Sequence, residues 1–73
     1  MNTKDINSLI EMIATDICIH QNEEEFLLRS AKASSDETAR TILEEIAQEI
    51  HSHVNKLNNK QQELKKMLLD MQK

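Results

Sequence analysis

The residues of this chain whose types and spacing could do chemistry are His20 with Glu24 and Glu49 with His53. Side chains four apart on a helix share a face, so each pair could grip one ion. Imidazole with carboxylate suits iron, zinc or manganese, and ligand type alone does not choose among them. His51 is a poorer candidate, because it lies two residues, about 200° around a helix, from His53 and cannot face the same ion. The four residues also admit a plainer role as a partly solvated polar seam that fixes the register between helices, as isolated polar core positions do in coiled coils. Haem ligation through His20 or His53 is a lesser alternative. Cys18, between Ile17 and Ile19, is expected to be a small, reduced, semi-buried side chain. With no Gly-rich phosphate loop and no nucleophile elbow, acid–base chemistry has no home outside the His/Glu layer, and a conventional enzyme is not expected.

Helices must position these groups. The 73 residues include no Gly, Pro, Trp or Tyr and one Phe, Phe26, which removes the residues that make tight turns and aromatic sheets and leaves helix formers throughout. One stripe with alternating steps of four and three runs Ile6, Ile10, Ile13, Ile17, His20, Glu24, Leu27, Ala31. A second runs Leu43, Ala47, Ile50, Val54, Leu57, Gln61, Leu64, Leu68, Met71 with heptad spacing. Continued past Ala31, the first stripe lands on Thr38, Glu45 and Ser52, about 200° out of phase with the second, so one straight helix would put its apolar halves on opposite sides. A reversal solves this. Ser34-Ser35-Asp36-Glu37 stands at the jump, with the Ser-x-x-Glu spacing of a capping box. The expected fold is all-α: one domain over 1–73, a helix over about 3–33, a turn at 34–35 and a helix over about 36–72. A single continuous parallel coiled coil is the main structural rival. Folding back at the serines pairs positions whose numbers add to about 69, so that Ile17 nears Ser52 and His20 nears Glu49.

So thin a hairpin needs help, because a single core in a chain of this size seldom supplies more than roughly 3–5 kcal/mol. With Cys18 as the one cysteine, an intrachain disulfide is excluded, leaving metal or association. Apolar flanks lie beyond the stripes: Met12, Ile19 and Phe26 on the first helix, Ile42, Ile46 and Met67 on the second. Two helices cannot cover them all, and the expected assembly is a homodimer making a four-helix bundle, or a larger homo-oligomer. The residues expected at the interface are Ile13, Ile17, Leu27, Ile46, Ile50, Val54, Leu57, Leu64, Leu68 and Met71. The last three are expected to outrun helix one and to need another chain.

Net charge is −4, divided as −7 through His53 and +3 from Val54 onward. No dense Arg/Lys stripe with aromatic platforms is present, so nucleic acid is not an expected partner. Glu11, Asp16 and His20 interrupt the richest apolar stretch, so no membrane span is expected. The N-terminus lacks the form of a secretory signal, and a cytoplasmic location is the expectation.

The stretch Ala33-Ser34-Ser35-Asp36-Glu37-Thr38-Ala39-Arg40-Thr41-Ile42-Leu43-Glu44-Glu45-Ile46-Ala47-Gln48-Glu49-Ile50-His51-Ser52-His53 resembles the second helix of ferritin-like proteins, especially the short rubrerythrin-like encapsulated ferritins. In that family a two-helix chain dimerises to complete a di-iron site, with a Glu from the first helix and a Glu-x-x-His from the second. The resemblance implies that His53 matches the family histidine, that Glu24 or His20 stands for the first-helix glutamate, and that iron or another divalent metal is bound. The Glu-x-x-His itself is absent: Ile50 stands three before His53, Gln48 three before His51, and Glu49 at the different spacing of four before His53. Two functions are therefore expected in parallel. The first is a homo-oligomeric hairpin acting through protein–protein interaction, as adaptor, regulator or inhibitor, with an unidentified protein partner. The second is a ferritin-like iron binder or ferroxidase with its site at a dimer interface.

Overall fold

A computed structural model describes residues 1–72. It contains two helices, α1 (Thr3–Ala33) and α2 (Glu37–Met71), folded against each other as an antiparallel hairpin. The all-α expectation holds, and the single-shaft rival does not. The hairpin is a rod of 56 × 14 × 14 Å. Its radius of gyration, 16.6 Å, exceeds the roughly 11 Å of a compact domain of this length.

The seam between the helices follows the two stripes. Ile6, Ile17 and Ala31 of α1 and Ala47, Val54 and Gln61 of α2 are buried. The remaining stripe positions, from Ile10 to Leu27 and from Leu43 to Leu68, are half-buried. Met71 alone among the stripe residues is exposed. Most of the expected interface residues are thus partly or wholly spent inside one hairpin: Ile17 and Val54 are buried, and Ile13, Leu27, Ile50, Leu57, Leu64 and Leu68 are half-buried. The expected overhang of the second helix is corrected as well. Because α1 begins at Thr3, with Asn2 as its cap, the tail of α2 finds a neighbour, and Ile6 at that end is completely buried.

The turn is built differently from the expected capping box. Asp36, not Ser34, is the N-cap of α2: its Oδ1 accepts from the backbone N–H of Thr38 at 2.9 Å and of Ala39 at 3.3 Å. A carboxylate at this position satisfies orphan donors and carries the charge that the helix dipole favours. Ser34 instead closes α1, its N–H donating to Ala31 O at 3.2 Å. Its hydroxyl accepts from Asp36 N–H and donates to Asp36 O, both at 3.2 Å. Arg40 reaches back from α2, and its Nη2 donates to Ser34 O at 2.8 Å. Together these contacts replace the glycine that usually ends a helix, and no described residue has positive φ.

Register shifts accordingly. Gln61 meets Ile10, His53 meets His20 and His51 meets Glu24, so partner numbers add to 71, 73 and 75 rather than 69. Two causes act in the same direction. Ser34, Ser35 and Asp36 all lie between the helices, moving the centre of the turn to Ser35. Side chains also lean toward the N-terminus of their own helix, so each covers a spot about one residue behind its Cα.

Candidate functional site

Rotation about the seam gives the rod two unlike sides. On one, Ile19, Asn22, Glu23, Phe26 and Leu27 of α1 and Ile46 and Ile50 of α2 line an open groove of about 630 Å³. Phe26 is 63% exposed there, and Ile19 and Ile46 are also exposed. On the other side one cleft is lined by Glu24, Glu44, Gln48 and His51 beside Leu28 and Ala47, and the next by Lys32, Arg40 and Glu44 beside Leu28 and Ala31. The apolar flanks expected beyond the stripes, Met12, Ile19, Phe26, Ile42, Ile46 and Met67, are all exposed in the single hairpin.

The four candidate ligands divide between these sides. The rings of His20 and His53 meet across the seam, edge to face, with centroids 5.0 Å apart and planes at 67°. Glu23, a groove residue, places its carboxylate 3.6 Å from His20 Nδ1. Glu24 turns the other way, and its Oε2 lies 3.1 Å from His51 Nδ1. Room for that contact comes from Ala47, a buried methyl that lines the same cleft as Glu24 and His51. Glu49 is exposed. Among the described residues of a single chain, no group of three or more His, Cys, Asp or Glu is placed to hold a metal ion. Within a single chain the donors are thus two imidazoles that meet across the seam and a separate carboxylate–imidazole pair at its other edge.

Among the described residues the seam has one well-buried polar side chain, Gln61, 8% exposed, whose Nε2 donates to Ile10 O at 3.1 Å. Heptad spacing had already put Gln61 in the seam. Three contributors were not anticipated: His51 as the partner of Glu24, Glu23 beside His20, and Arg40 on the turn. His51 is rotated about 200° from His53, but a seam between two helices has two edges, and His51 serves the second by meeting Glu24. Cys18, expected to be semi-buried, is exposed, because the adjacent Ile17 takes the seam and the next residue is rotated about 100° away from it.

Comparison with protein-family models, with curated proteins and with solved structures finds no match to this chain. Among the described residues, no helix is long and apolar enough to cross a membrane.

Proposed function

We propose that this hairpin is one half of a homodimeric four-helix bundle that acts through protein–protein interaction, its apolar side meeting a second copy and its polar side left to another protein. The observation that carries this is the balance of apolar surface. Five apolar residues are buried among those described, against ten large ones exposed. Several of the exposed ones border a single groove. Fully burying a large apolar side chain is worth about 1.5–3 kcal/mol. Leaving Ile19, Phe26 and Ile46 in water thus forgoes an amount comparable to the whole stability of a small core. One long side of a rod 56 Å by 14 Å also has an area of the same order as the roughly 800 Å² per partner of a standard interface.

Charge favours an antiparallel pairing of rods. Residues 18–53, at the turn end, carry eight acidic and three basic side chains; the described residues of the other half carry five of each, including Lys56, Lys60, Lys65 and Lys66. Rods side by side in the same direction would stack two acidic ends. In opposite directions each acidic end meets a neutral, lysine-bearing one.

Sedimentation or light scattering tests the dimer. The chain of 8.5 kDa should run at twice that mass. Phe26→Glu and Ile46→Glu should each shift it toward the single-chain mass while circular dichroism still reports helix at high concentration. A wild-type chain that stays single at all concentrations up to millimolar would overturn the proposal.

A further inference from the structure

We infer that His20 and His53 form half of a metal site for a borderline divalent transition ion such as zinc or cobalt, completed by the same two histidines of a second copy. This rests on the dimer proposed above and goes beyond it by naming a ligand and the atoms that hold it. Three features of the hairpin converge on it.

The first is spacing. Two imidazoles on one tetrahedral ion, with metal–nitrogen bonds of about 2.0–2.1 Å, have ring centres about 5 Å apart. The observed separation is 5.0 Å, between rings on different helices. Glu23 stands 3.6 Å from His20 Nδ1, beyond hydrogen-bond range but near enough to place negative charge beside the ring.

The second is position along the rod. α1 spans Thr3–Ala33 and α2 spans Glu37–Met71, so His20 and His53 each fall within two residues of the middle of their helix. A twofold axis relating fully overlapped antiparallel rods crosses them at the middle. It therefore brings the two His20–His53 pairs to face each other.

The third is side. Ile46 and Ile50, which line the apolar groove, precede His53 by seven and three residues on α2, and Glu23 lines it beside His20. The histidines thus flank the surface that a second copy covers, whereas Glu24 is drawn to His51 on the opposite side. A single chain offers two donors, fewer than a stable tetrahedral site requires. Four neutral imidazoles favour zinc, cobalt, nickel or copper over ions that prefer oxygen.

The test uses the full chain, first in chelator and then with zinc chloride or cobalt chloride in a non-coordinating buffer. Expected are one ion per two chains by titration calorimetry, tetrahedral ligand-field bands with cobalt, and a dimer tightened about tenfold or more by zinc. His20→Ala and His53→Ala should each abolish stoichiometric binding, and His51→Ala should not. A dimer in chelator that then takes up no ion overturns the metal site and leaves the dimer standing. So does binding of one ion per chain, or binding that survives both substitutions. A chain that remains single with and without zinc overturns the dimer itself.

Discussion

Asp36 caps α2 where the Ser-x-x-Glu spacing predicts Ser34. Its carboxylate accepts from two backbone N–H groups at the start of α2, so Asp36→Ala should lower stability by about 1 kcal/mol, read as a reduced urea midpoint with unchanged slope. The choice between Ser34 and Asp36 was not legible, since both are strong caps and only the path of the turn decides which one is free. Ser34 is committed to closing α1 and holding Asp36 in place. The split of the His/Glu layer was equally hidden. Periodicity put His20 and Glu24 in one stripe, and they are indeed one turn apart in the seam, yet at i and i+4 on a two-helix contact they lean to opposite edges. His20 meets His53, and Glu24 meets the histidine that the angular argument had set aside.

The stripes themselves were fully legible, because burial in a two-helix contact depends on little besides the 3.6-residue period. Each position from Ile6 to Ala31 at steps of three and four that the first stripe names is buried or half-buried, and so is the second stripe through Leu68. The 200° phase jump located the reversal to within two residues. Register was less accessible, since it depends on how many residues the turn consumes and on the lean of side chains along each helix. Small side chains set how closely the helices approach. Ala47 is 2% exposed under the Glu24–His51 contact, so Ala47→Leu should overpack the seam and cost about 1–3 kcal/mol, measured by denaturant unfolding. The exposed substitution Gln48→Leu, on the next position, provides a comparison that should change stability by less than about 0.5 kcal/mol.

A rod two helices thick has too much edge for its interior. Among the described residues, Ile6 is the one large side chain that is fully shielded, while Ile19, Phe26 and Ile46 stand around an open groove. That two helices leave apolar flanks uncovered was readable from the width of the apolar faces, and Met12, Ile19, Phe26, Ile42, Ile46 and Met67 are exposed. What could not be read was which apolar residues the hairpin consumes and which it leaves over. The stripes go to the seam, and the flanks are left exposed.

A hairpin also places the beginning of α1 and the end of α2 together, at the tip farthest from Ser35. Joining two copies head to tail in one gene therefore becomes a ruler for their relative direction. To let the second copy lie reversed along the first, the tether must travel the 56 Å length of the rod, which takes about 16 fully extended residues. A tandem with a tether of roughly 25 flexible residues should close on itself into a compact species of single-polypeptide mass. With only about five residues it should instead link into larger assemblies, detected by light scattering. Two rods pointing the same way would close with either tether, so the short version alone decides the direction.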